Sequence, residues 1–233
     1  MPKIRSPQAR RQSGITMVEF VIISPFAILV VMAIIQLGLV FCAKQVLNEA
    51  AFSAARYGAM NNAHVDGMRR ALQAALVPFY QDATTSSDLL RLTQAKLSAT
   101  LDTATSLTLN LTRLNPSAAA FQDFGLTDAH NNVYIPNDSL DYRPHTVTGP
   151  SSGLSIQDAN TLKIEVTYSY PLKVPLMAVL FKSLRCGMDS GLSAFGRGGL
   201  ANLSSDCAQF YAWGRVPIRT VATVQMQTPA YQN

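Results

Sequence analysis

With 233 residues the chain holds one domain, or one domain and a membrane anchor. Hydrophobic residues make up 48% and charged residues only 14%, well under the roughly one quarter charged in soluble domains, so a long uncharged stretch is required somewhere. The net charge of +5 sits at one end: Lys3, Arg5, Arg10 and Arg11 precede Gly14 with no acid, leaving +5 − 4 = +1 for the rest and excluding a basic nucleic-acid-binding face.

The uncharged stretch is Phe20 to Ala43. At ~1.5 Å per residue these residues reach ~36 Å, enough to cross a ~30 Å hydrocarbon core with some tilt. Four cations precede it, whereas Lys44, Glu49 and Arg56 after it are mixed in sign. The positive-inside rule then predicts a single-pass protein with a cytoplasmic N-terminus and everything from about residue 44 outside. A removable secretory signal has a shorter apolar stretch and small residues at its cut, whereas bulky Phe41 stands before both Cys42 and Ala43. The segment is therefore expected to stay attached.

Glu19 interrupts this pattern, standing between Met17-Val18 and Phe20-Val21 at the entry to the span. A carboxylate near hydrocarbon is unfavourable, by up to ~2.5–3.5 kcal/mol at the centre of a helix and less at the interface. Two readings stand open: Glu19 reaches the headgroups or is protonated, or it pairs with a cation in an assembly. Pro25 inside the run removes a backbone hydrogen bond and predicts a kink, either neutral or used in assembly.

Beyond the span, Val46, Leu47, Ala50, Ala51, Ala54 and Ala55 recur at helical spacing, so the helix is predicted to continue until Gly58, Asn61 and Asn62 end or bend it. Further helices are predicted over 65–80 and 87–105, the latter introduced by Ser86, Ser87 and Asp88. The period then changes to two over 107–112, 161–170 and 216–226, which predicts three strands of one antiparallel sheet with one buried face. The apolar stretch 175–184 reads as a short helix covering that sheet, or alternatively as a membrane-surface element. Loops rich in Asn, Pro, Ser and Gly fill 125–160 and 187–206.

Cys42 lies in the span and reads as a small apolar residue. Cys186 and Cys207 flank the glycine-rich loop in the part placed outside, where a disulfide closing the loop would stabilise by about 3 kcal/mol on the chain-entropy model. Two separate thiols are the alternative. His64, His130 and His145 are scattered without metal-ligand spacing, Ser190 misses the G-x-S-x-G elbow by one position, and no glycine motif for a cofactor is present. Neither an enzyme nor a cofactor is expected.

Arg10-Arg11-Gln12-Ser13-Gly14 followed by Ile15-Thr16-Met17-Val18-Glu19-Phe20 resembles the leader and first segment of type IV prepilin-like proteins. The resemblance implies cleavage after Gly14 by a membrane prepilin peptidase, with Ile15 as the new N-terminus and Glu19 as the fifth mature residue. Glu19 followed by Phe20, the run VEFVIISP and the helix EAAFSAARYGA are similar to the TadE-like pseudopilins of the Tad (Flp pilus) branch. Residues 10–59 carry most of the likeness, with a weaker echo over 161–176; residues 60–160 are longer than in some TadE-like chains.

From this resemblance follow a leader over 1–14, a transmembrane and membrane-proximal helix over 15–60, and a periplasmic domain over 61–233. The fold class expected is α+β: a long N-terminal helix continuing into a pilin-like domain with an antiparallel sheet. The implied function is that of a minor pseudopilin in Tad/Flp-type (type IVb) pilus assembly, located in a bacterial inner membrane. The implied partners are prepilin peptidase, other pilins and pseudopilins, the Tad assembly platform and the lipid bilayer. The alternative is an uncleaved signal-anchored periplasmic scaffold or binding protein, in which Glu19 is incidental.

Overall fold

The computed structural model describes residues 15–81, 87–180 and 210–232. Helix α1 (Ile15–Met60) runs unbroken for 46 residues with Pro25 inside it, a length of about 69 Å at 1.5 Å per residue. Its two halves meet different surroundings. From Met17 to Ile35 nearly every large side chain is exposed, while Ala43, Leu47, Ala50, Ala51, Ala54, Ala55 and Ala59 are buried. These buried positions repeat at three and four residues, one face of a helix. Most are alanines, which let the helix backbone lie close to its neighbours.

That face packs on a three-stranded antiparallel sheet of order β1-β4-β5, built from β1 (Leu109–Asn115), β4 (Thr161–Pro171) and β5 (Arg215–Gln225). Strand β4 is central, pairing Leu162 with Val224, Ile164 with Ala222 and Tyr168 with Ile218 on one side, and Tyr168 with Leu109 on the other. Its alternate residues Leu162, Ile164, Val166, Tyr168 and Tyr170 are buried, as the period of two requires when one face is covered. Lys44 Nζ donates to the Arg219 carbonyl (3.2 Å) and Thr220 Oγ1 to Asn48 Oδ1 (2.5 Å), fixing α1 along β5.

Helix α2 (Val65–Leu76) turns back on the end of α1 and buries Met68, Leu72 and Leu76. The turn is made by Asn62 and Ala63, both left-handed (φ 59 and 57), with the amides of Asn61 and Ala63 bonded to the Gly58 carbonyl. Gly58 itself stays helical, and its role is close packing: a Cβ there would lie 2.3 Å from Met68 Sδ and 2.9 Å from Leu162 Cδ2. A 3₁₀ turn (Val77–Tyr80) and α3 (Asp88–Asp102) complete the helical side.

Elements with no pattern in the sequence lie beyond β1. Helix α4 (Ala118–Phe124) is capped by Ser117, whose Oγ accepts from the Ala120 amide. A small second antiparallel sheet of order β2-β3-β6 joins β2 (Leu126–Thr127), β3 (Val133–Ile135) and β6 (Ala230–Tyr231). Helix α5 (Ile156–Ala159), capped by Ser155, leads into β4.

Candidate functional site

The exposed half of α1 holds the sequence-predicted residues. Helix geometry begins at Ile15, and Glu19 stands one turn further on the same face, exposed and, among the described residues, without a hydrogen-bond or ion-pair partner. Phe20 is 71% exposed beside it. Gly14 and the basic residues before it lie outside the described residues, as do Cys186 and Cys207. Cys42 is a free, exposed thiol on α1.

Along this half runs an open apolar groove of about 530 Å³, lined by Phe20, Val21, Ser24, Pro25, Ile28, Leu29 and Met32 of α1 and by Leu176. The lining residues share one helical stripe, and that stripe continues through Gln36 and Val40 into the buried face at Ala43 and Leu47. Pro25 therefore sits in the groove wall.

Gln36 marks where the domain begins to cover α1. Although its neighbours are apolar and exposed, it is fully buried, and its Oε1 accepts from the Val174 amide at 3.0 Å. Its Nε2 is buried without a partner. The stretch expected to cover the sheet reaches α1 instead of ending on the sheet alone: residues 174–180 make a turn and a short helical segment, with Met177 fully buried and contacts to Gln36 through Val174 and to the groove through Leu176. Residues 181–184 of that predicted helix lie outside the described residues. The strand period predicted what the sheet needs on its buried face, and α1 already supplies it, leaving this stretch free to follow α1.

A polar cluster at the same end of the sheet was not anticipated from sequence. Arg215 Nη2 pairs with Asp102 Oδ1 at 2.6 Å and Arg215 Nη1 donates to the Ser169 carbonyl at 3.0 Å. Tyr80 Oη donates to Asp102 Oδ2 at 2.7 Å and lies 2.8 Å from Tyr168 Oη. Burial, aided by the Tyr168 hydrogen bond, pushes the Tyr80 hydroxyl far above its ordinary pKa. Burial likewise pushes Tyr168 up to about 12. Burial works to lower the Arg215 pKa, and Asp102 outweighs it, so the guanidinium stays charged. The cluster clamps α3 and the 3₁₀ turn to β4 and β5, and no signal short of the fold brings these four residues together. Among the described residues no group of three or more His, Cys, Asp or Glu is placed to hold a metal ion.

Among the described residues one apolar helix is long enough to cross a bilayer, little buried over its hydrophobic part and carrying an α+β domain on its far half, which fits a single-pass membrane protein. Residues 14–56, a segment that includes Gly14, Ile15, Glu19, Phe20 and Pro25, match the model of the TadE-like protein family. No curated protein and no solved structure matches it.

Proposed function

We propose that the protein is a minor pseudopilin that takes part in assembly of a Tad/Flp-type (type IVb) pilus. The observation that carries this reading is the TadE-like match over 14–56, which coincides with a helix whose first half is exposed and apolar apart from Glu19. On this reading the basic leader stays in the cytoplasm, the domain lies in the periplasm, and prepilin peptidase cuts after Gly14. Gly14 has no side chain to hinder an extended backbone in the peptidase. Cleavage creates a cationic amine at Ile15, one turn from the Glu19 carboxylate.

When the apolar helix moves from lipid into a bundle of pilin helices, either charge alone would be poorly hydrated and strongly unfavourable. Pairing of Glu19 with its own or a neighbouring subunit's amine relieves both and selects one register between helices. The other pilins and pseudopilins of the system, and its inner-membrane platform, are the partners of this step. The protein's contribution is structural.

The test is the mature N-terminus of membrane-extracted protein, read by intact mass and terminal peptide sequencing, together with piliation of a Glu19→Ala strain. A chain beginning at Ile15, and loss of pili with normal membrane insertion in the variant, are expected. A chain beginning at Met1 or Pro2 in cells with active prepilin peptidase would replace this reading with that of an uncleaved signal-anchored scaffold. Normal piliation of Glu19→Ala would remove the pairing mechanism.

A further inference from the structure

We infer that residues 174–180 enter the bilayer beside α1, giving the domain a second, lipid-facing contact with the leaflet on its own side. The inference rests on α1 spanning the membrane and is independent of a role in pili. Its first support is register. The Val174 amide is held by Gln36, and Leu176 shares a groove with Ser24, Pro25, Ile28, Leu29 and Met32. All of these α1 residues belong to the uncharged run 20–43. If that run is in hydrocarbon, whatever touches it at the same level is there too.

Depth follows from helix rise. A ~30 Å core corresponds to about 20 residues, so a core entered at Phe20 ends near Leu39. Gln36 then lies ~4.5 Å and Met32 ~10 Å inside that boundary, the ~5–10 Å depth of interfacial segments.

The chemistry of the segment agrees. From Val174 to Leu180 there is no charged residue, yet Leu176 is 62% and Val179 69% exposed. Leu176 holds a left-handed backbone (φ 65), uncommon for a residue with a Cβ. Irregular backbone at membrane depth persists only where its polar groups find partners within the protein. The Val174 amide finds Gln36, the amides of Met177 and Leu180 find the carbonyls of Val174 and Leu176, and Pro175 has no N–H to satisfy.

The flanks fit an interface. Lys173 precedes the segment, able to extend its ammonium to the headgroups. Trp213, 79% exposed, is next to Gly214, whose carbonyl accepts from the Leu172 amide at 3.0 Å. Tryptophan concentrates at the headgroup level of membranes. Continuity with the span identifies the occupant of this exposed apolar surface as acyl chains of the bilayer that α1 crosses.

Trp213 is the only tryptophan, which permits a direct test on the full chain in phospholipid nanodiscs. Emission is compared between ordinary lipids and lipids brominated along the acyl chain, for Trp213→Phe chains carrying Leu176→Trp, Val179→Trp or, as a reference within the span, Phe26→Trp. The expected result is at least twofold quenching of both segment probes, with native Trp213 quenched most by the shallowest bromines. Segment probes that are unquenched while Phe26→Trp is quenched would overturn the inference and leave the span intact. Blue-shifted but unquenched probes would do the same, showing a protein surface as the occupant. An unquenched Phe26→Trp would remove the span and the inference with it.

Discussion

Gly58 offers a test of how closely α1 approaches the rest of the domain. Replacing it with alanine puts a methyl group 2.3 Å from Met68 Sδ, 2.7 Å from Met68 Cγ and 2.9 Å from Leu162 Cδ2, where ordinary contacts begin at 3.4 Å. Met68 and Leu162 are fully buried, so neither can swing into solvent. Helix propensity alone would favour alanine by about 1 kcal/mol, while overpacking a close-packed core is unfavourable by about 1–3 kcal/mol. Gly58→Ala is therefore expected to destabilise by about 1 kcal/mol. In a Met68→Ala background the two nearest atoms are gone, and the same substitution should stabilise by roughly 0.5–1 kcal/mol. The double-mutant cycle then gives a coupling of about 2 kcal/mol. The measurement is urea unfolding of the full chain in detergent micelles, followed by the circular dichroism of the domain. Equal effects of Gly58→Ala in both backgrounds would show that Met68 does not limit the approach of α1 to α2 and β4.

The polar clamp gives two further expectations. Asp102→Asn keeps the shape but leaves Arg215 without its counter-charge; with the two side chains 25% and 21% exposed, the expected loss is about 1–3 kcal/mol, below the 3–5 typical of a fully buried pair, read in the same unfolding assay. Tyr80 and Tyr168 are held above their ordinary value of 10.0; a raised folded pKa means that their contribution is complete below pH ~10 and is lost as pH rises through the folded values. Alkaline unfolding curves between pH 9 and 12 should therefore steepen above ~10, and the Tyr80→Phe/Tyr168→Phe pair should flatten them.

The residues most easily read from sequence are those whose environment is uniform along an element. Strand β4 alternates from Leu162 to Tyr170 because one face is covered throughout, by α1 and, at Tyr168 and Tyr170, also by Phe79, and the buried alanines of α1 recur because one face meets the sheet and α2. Strands β2, β3 and β6 span two or three residues each, too few for any period to register. Of the residues read as ending α1, Gly58 stays helical, whereas Asn62, left-handed together with Ala63, makes the stop, held there by hydrogen bonds of its backbone with Tyr231 and Thr228. Of the candidate site, Glu19 and Pro25 were visible as departures from an apolar run, and Phe20 only through the resemblance. Gln36 stood in the same run, but its meaning depends on Val174, 138 residues away.

That long-range contact bears on the proposed assembly step. If α1 leaves the lipid to join a helical bundle, residues 174–180 cannot remain behind, because Gln36 holds Val174 and Leu176 lines the groove with α1. Fully burying an apolar side chain such as Leu176, Val179 or Leu180 is worth about 1.5–3 kcal/mol each. Withdrawing all three from acyl chains into water would thus oppose extraction by roughly 5 kcal/mol, on top of the transfer of α1 itself. The opposition vanishes when a neighbouring apolar helix replaces the acyl chains. An arrangement of this kind would hold a lone subunit in the membrane and release it only into a bundle that covers both α1 and the segment beside it, with Glu19 selecting the register in which that happens.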